Sequence, residues 1–389
     1  MEESTTTYDE QDDQVPRDSI DAANEAMDSG SLGRLVNPRA VLFLVFSIAV
    51  AIVGLYVLLP KLVGVHDAIN RIGDAKWYWI GTAFGFVTLA FAAYAAVFRG
   101  VVGGGDDALM RARLNLRASY EITMAGFAGS TFFSAVGAGG LVVIYWALRK
   151  AGMEARRAAC RMVALLVVLY SFYALSVIVF GILLRTSVLP GSRPVGGTIV
   201  PAAVAGILVV LLALVALIPG DLERRIGLID RSGRFARIAR RLITIPGTVA
   251  TGVRTAIDRL RSPGVRWLVL VGGILYWAGN IGVLWCSFHA FGVEVPLAVL
   301  VQGFFVGMAA NVIPSPAAGA GPVDAGMIAA FLLFDIPKES VFPAVLTYRL
   351  IAFWLPTIPG IVAYFHLRRT VRRWEADGYT SVSKALEAN

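Results

Sequence analysis

The chain has 389 residues, 57 % of them hydrophobic and 16 % charged, where soluble domains carry about 25 % charged residues. With a mean hydropathy of +0.69, this excludes a soluble globular protein and points to an all-α polytopic membrane protein. The formal net charge of +8 hides an acidic start, ten acids against Arg17 alone in residues 1–30, and a basic remainder. That basic excess flanks apolar segments, so it argues for the inward-facing Lys/Arg of a membrane protein and against nucleic acid as a partner.

Residues 1–38 read as a disordered acidic cytoplasmic tail. They lack a basic start followed by an apolar core, so no signal peptide is expected. Windows long enough to span follow at Val41–Leu59, Trp77–Phe98, Met162–Leu184, Ile199–Pro219, Trp267–Phe288 and Val341–Phe365. The stretch Asp221–Arg266 carries eleven arginines and is assigned to the cytoplasm, as is the tail with Arg368, Arg369, Arg372 and Arg373. Within it, Arg231–Arg261 mixes arginines with Phe235, Ile238, Leu242 and Ile243 at helical spacing, the pattern of an amphipathic interfacial helix. Both termini are therefore placed in the cytoplasm, and the membrane is taken to be the plasma membrane.

Two further apolar stretches are interrupted in their middles. Tyr120–Leu148 contains Ser130 to Gly140, with Gly137, Gly139 and Gly140, and Leu297–Phe334 contains Pro314 to Pro322, with Gly319 and Gly321. Backbone that leaves the helix inside hydrocarbon must line a cavity or be buried in protein. Basic loops on both sides put the ends of the first stretch on the cytoplasmic side. The neighbouring spans put the ends of the second outside. Leu297–Val312 would make about 24 Å of helix and Val323–Phe334 about 18 Å, and neither crosses a core of about 30 Å. The expected fold is six full spans plus two re-entrant helical hairpins in an inverted repeat. The first repeat is 77–184, the basic loop 220–265 and the second repeat 266–366, within a membrane transport domain of 39–366 and before a tail of 367–389. The competing arrangement is eight plain spans, two of them kinked.

Arg349 lies about two turns into the last span, where an arginine costs roughly 2.5–3.5 kcal/mol on insertion scales. It either anchors an anionic headgroup, since guanidinium matches phosphate bidentately, or pairs with Asp324 on the facing half-helix. Asp324, just after Pro322, is either a proton or cation site or an acid favoured by the helix dipole. Ser130, Thr131, Ser134, Asn311 and Ser315 offer uncharged polar groups at the two tips, for a headgroup or for the broken backbone. Glu121 is placed at the membrane interface. Tyr348 and Trp354 pack on lipid, line the cavity or pack in the core. Arg156, Arg157 and Arg161 can share a helix face and gather anionic lipid, or serve only as topology determinants. Cys160 and Cys286 and the scattered His66, His289 and His366 suggest no disulfide or metal site. No P-loop or acid/base cluster is present, so no enzyme activity and no cofactor are expected.

The run Pro314–Gly326, with Leu333-Phe334-Asp335-Ile336-Pro337 and Tyr348-Arg349-Leu350-Ile351-Ala352-Phe353-Trp354-Leu355-Pro356, resembles the membrane region of lysylphosphatidylglycerol synthases. The resemblance covers about Val41 to Phe365 and implies a flippase-like family. It puts the family's hairpin-tip acid on Asp324, its arginine on Arg349, and its Phe-Trp-Leu-Pro on Phe353 to Pro356. In the first half Gly139-Gly140 and Ala147-Leu148-Arg149 fit, while Val143-Ile144 stand where the family often has arginine. The chain ends at Asn389 without a match to the soluble aminoacyl-transfer domain, so aminoacylation by this chain is not expected. The resemblance implies translocation of an anionic phospholipid or polyprenyl-phosphate-linked lipid between leaflets, with membrane lipids as partners and a homo-oligomer allowed. The alternatives are an ion-coupled carrier of a small soluble anion, with Asp324 as coupling site, and a membrane enzyme acting on polyprenyl phosphates.

Overall fold

A computed structural model describes residues 76–103, 108–132, 139–217, 234–313 and 321–387, with side chains placed except at 108, 132, 234–246 and 377–387. All the described segments are helical or connecting turns, with no strand among them. In chain order the helices are α1 (Trp77–Phe98), α2 (Ala108–Arg113), α3 (Leu116–Phe132), α4 (Gly139–Lys150), α5 (Ala155–Arg185) and α6 (Ile199–Ala216). Then come α7 (Arg234–Arg261), α8 (Pro263–Ala290), α9 (Leu297–Met308), α10 (Pro322–Leu333), α11 (Lys338–Arg349) and α12 (Leu355–Glu387). The acidic tail, the expected span Val41–Leu59, and the tips holding Ser134, Gly137, Ser315 and Gly319 lie outside the described residues.

Five segments are long and apolar enough to cross a membrane: Trp77–Gly103, Ala155–Arg185, Val195–Ala216, Pro263–Ala290 and Lys338–Ala376. They match the five expected spans within the described chain. Their limits differ in two instructive ways. The arginines Arg156, Arg157 and Arg161 sit inside α5, not in a loop before it. The last span is no plain helix, because a π-helical turn, Leu350–Trp354, separates α11 from α12. A second π turn, Arg99–Gly103, follows α1.

The two interrupted stretches each fold into a pair of short antiparallel helices. In the first, Gly126 of α3 faces Gly140 and Ile144 of α4, while Gly129 faces Gly139 and Val143. The approach is so close that a Cβ on Gly140 would lie 2.4 Å from the Gly126 carbonyl oxygen. In the second, a Cβ on Gly307 of α9 would lie 2.5 Å from the Met327 Cα of α10. Small residues let backbones meet where no hydrophobic driving force exists between helices in lipid.

Two hydrophobic cores form around these pairs, at opposite ends of the same long helices. The α9–α10 pair packs with Ala83 and Val87 early in α1, Leu184 late in α5 and Phe288 late in α8. The α3–α4 pair packs with Val97 and Phe98 late in α1, Ala158 and Leu165 early in α5, and Val269 early in α8. Leu367, Val371 and Trp374 of α12 close this second core. α1 and α8 run alongside each other through both.

Polar cross-links tie the short helices to the long ones. The Tyr173 hydroxyl of α5 donates to the Phe305 carbonyl of α9. Gln302 Nε2, fully buried, donates to the Gly197 carbonyl at 2.9 Å. Glu121 is buried against the protein. It accepts hydrogen bonds from Arg117 Nε at 3.0 Å and from the Thr370 hydroxyl of α12 at 2.8 Å.

Candidate functional site

The chain re-enters helix after its second interruption at Gly321, where φ is +93°. Glycine adopts that conformation without the Cβ clash other residues meet. Pro322 opens α10 with its fixed φ and no N–H to satisfy. Asp324, in the first turn, accepts the Gly321 N–H through Oδ2 at 2.9 Å. Its other oxygen, Oδ1, lies 2.6 Å from Arg349 Nε at the end of α11. Asp324 is 0 % exposed and Arg349 4 %. The carboxylate is thus both the helix-start acid weighed for Asp324 and the buried ion-pair partner weighed for Arg349.

The pair is held by charge more than by direction, since neither Arg349 Nε nor Asp324 Oδ1 has hydrogen-bond geometry, and Arg349 Nη2 is buried with no partner. Arg349 also lies over the Phe353 ring, with Cζ 4.3 Å from its centroid. Such a cation–π contact offsets part of the burial cost. Phe353 stacks edge-on with Trp354 at 5.2 Å and with Phe127 of α3 at 5.8 Å. Through these rings the charged pair is linked to α3.

Phe127 also lines a cavity of about 170 Å³. Gly126, Phe127, Ser130, Gly140, Leu141 and Ile144 of the first hairpin line it, with Ala90, Phe91 and Tyr94 of α1, Tyr276 and Asn280 of α8, and Ala352 of the π turn. Ala352 and Phe353 are consecutive, so the π turn faces the cavity with one residue and covers Arg349 with the next. The polar groups here partly serve the backbone. Ser130 donates to the Phe127 carbonyl at 2.7 Å, Thr131 to the same oxygen at 3.3 Å, and Asn280 Nδ2 to the Tyr276 carbonyl at 2.8 Å.

The sequence-selected residues therefore divide. Arg349, Asp324 and Gly321 form one cluster, while Ser130 and Gly140 line the cavity with Gly139 buried beside it. Tyr348 and Trp354 are buried, Tyr348 edge-on to Phe304 at 5.8 Å. Asn311 is exposed in a 3₁₀ turn after α9. Arg161 is buried elsewhere, donating through Nη1 to the Val102 carbonyl of the first π turn. Tyr94, Tyr276 and Asn280 were missed by the sequence reading; an asparagine within the apolar run of α8 was the available signal.

Helix bundle, interrupted helix pairs and a buried charge in the last span together define a multi-pass membrane protein. The family profile of the lysylphosphatidylglycerol synthase transmembrane region matches residues 44–360, and the chain belongs to that family. A UPF0104 membrane protein of Methanothermobacter thermautotrophicus is 30 % identical over 119 residues, covering 28 % of this chain. The matched part spans 35 % of that relative's length. No solved structure matches the chain.

Proposed function

We propose that the protein translocates a lipid with an anionic headgroup between leaflets, through a cleft between two re-entrant hairpins arranged as an inverted repeat. The observation that carries this is the buried Asp324–Arg349 pair, set at a helix interruption and joined through Phe353 and Phe127 to a cavity beneath the other interruption. Packing of the two short pairs against opposite ends of α1, α5 and α8 supports entry from opposite faces. Broken helices in corresponding places of two halves mark carrier binding sites. On this reading the α3–α4 hairpin, the arginine-rich α7 and both termini face the cytoplasm of the plasma membrane. Arg349 takes the headgroup phosphate when Asp324 releases it, and the acyl tails stay in lipid. The lipid crosses without covalent change.

Proteoliposomes containing fluorescent phosphatidylglycerol test this. Wild-type protein should expose inner-leaflet probe to a membrane-impermeant quencher, and Arg349→Gln should abolish the exposure. Transfer unaffected by Arg349→Gln, or none by the wild type with either phosphatidylglycerol or a polyprenyl phosphate, would remove the proposal. Uptake of a soluble anion that depends on Asp324 would replace it with a carrier.

A further inference from the structure

A second, larger cleft opens between α5 and α7, about 660 Å³ in volume and away from the Asp324–Arg349 pair. Arg156, Arg157 and Arg161 of α5 and Arg259 of α7 line it, against Glu154 and Asp258, together with Thr251, Thr255 and Cys160. Among the described lining residues, four guanidinium groups accompany two carboxylates. Its back wall is fixed: Arg161 is buried and held by the Val102 carbonyl at the π turn after α1. Arg156 and Arg157 are exposed at the mouth. The two helices meet tightly at Gly252, where a Cβ would lie 2.5 Å from Val163 Cγ1, and the cleft opens beside this contact.

We infer that this cleft is a binding site for a phosphate-bearing anion, with the headgroup of an anionic phospholipid as the occupant its position fits. α7 is rich in arginine on one face and apolar on the other, the composition of a helix lying in the lipid headgroup layer. Arginines reaching a cleft at that level meet phosphate with fork geometry that lysine lacks, and threonine hydroxyls supply neutral donors. Buried Arg161 gives the site a fixed charge that scattered surface arginines lack. The site stands independently of translocation, because none of its residues belongs to the central pair or cavity.

Native mass spectrometry of the full chain in detergent, titrated with phosphatidylglycerol, phosphatidylcholine or inorganic phosphate, tests the inference. Phosphatidylglycerol should bind, and Arg156→Gln/Arg157→Gln should weaken it at least about tenfold, from the contribution of each basic residue near an anionic headgroup. Arg369→Gln/Arg373→Gln removes equal charge from another exposed face and should leave affinity within about twofold. Thr255→Phe, which fills the cleft without changing charge, should also weaken binding. Inorganic phosphate displacing the lipid would assign the site to phosphate itself; failure to displace it would assign it to the intact headgroup. Equal losses in both arginine pairs, or an unchanged affinity in Arg156→Gln/Arg157→Gln, would overturn the site. Binding abolished by Arg349→Gln alone would move it to the central cavity.

Discussion

The Asp324–Arg349 pair makes a quantitative prediction through a double-mutant cycle. Asp324 is wholly buried, and its Oδ1 has Arg349 as its ion-pair partner at 2.6 Å, while Oδ2 is taken by the Gly321 N–H. Arg349→Met leaves that carboxylate buried and uncompensated, which costs roughly 3–5 kcal/mol. Asp324→Asn keeps an oxygen for Gly321 but leaves a buried guanidinium whose remaining contact is the Phe353 ring, worth about 0.5–2 kcal/mol. It should destabilise by a similar amount. The double variant has neither charge, and replacing both members of a buried pair is often neutral. Its loss should be well below the sum of the two, with a coupling of about 3 kcal/mol or more.

Unfolding of the purified protein in micelles, followed by circular dichroism against denaturant, measures the three losses. Additivity within about 0.5 kcal/mol would refute the premise that these charges stabilise one another in the folded state. The same double variant separates stability from transport. It should be folded yet inactive in the fluorescent-lipid assay, because no guanidinium remains to take a phosphate.

The remaining predictions concern the hairpins. Gly140→Val should destabilise by about 1–3 kcal/mol or more through overpacking, because even its Cβ would lie 2.4 Å from the Gly126 carbonyl oxygen. Gly81→Ala, whose Cβ meets nothing within 4 Å, should change stability by no more than about 1 kcal/mol, and thermal unfolding compares the two. Glu121→Gln replaces a carboxylate that accepts from Arg117 and from Thr370. It should cost about 1.5–3 kcal/mol, the range for hydrogen bonds to charged groups. Hydrogen exchange should then rise in α3 and in α12 around Thr370, and unchanged protection there would show that the contact does not hold the two helices.

The parts of this architecture that composition controls were legible in advance. Apolar runs mark α1, α5, α6 and α8 because lipid requires some 20 apolar residues in succession. The glycines and prolines at the interruptions were equally informative, since they remove the Cβ or the N–H a continuing helix needs. Arg349 and Asp324 stood out because charge within an apolar span is costly. What escaped the sequence depends on contacts between distant segments. No local pattern announces the π turn at Leu350–Trp354, yet it turns Ala352 toward the cavity and Phe353 over the guanidinium. One of the two partners of Glu121, Thr370, lies 249 residues away. The arginines at 156, 157 and 161 resemble a basic loop by composition, but Ala155, Ala158 and Ala159 support helix, and α5 begins before them.

The incomplete satisfaction of Arg349 bears most directly on how the site works. Guanidinium carries five N–H donors in a fixed fork, and here Nη2 is buried without a partner while Nε meets Asp324 out of line. A pair retained only for stability would gain by completing those bonds, because each buried donor left unmade costs about 1–3 kcal/mol. A phosphate has the oxygens to satisfy the fork from one side, whereas Asp324 already gives one oxygen to Gly321. Between the guanidinium and the cavity-lining Phe127 of the first hairpin stands Phe353, from the π turn of the last span, in ring contact with Phe127. On the translocation proposal, movement of the α3–α4 pair relative to the last span would part those rings and admit a headgroup to the arginine in the same step. On the same proposal, exchange of Asp324 for phosphate would couple occupancy of the site to the arrangement of the helices, as alternating access requires.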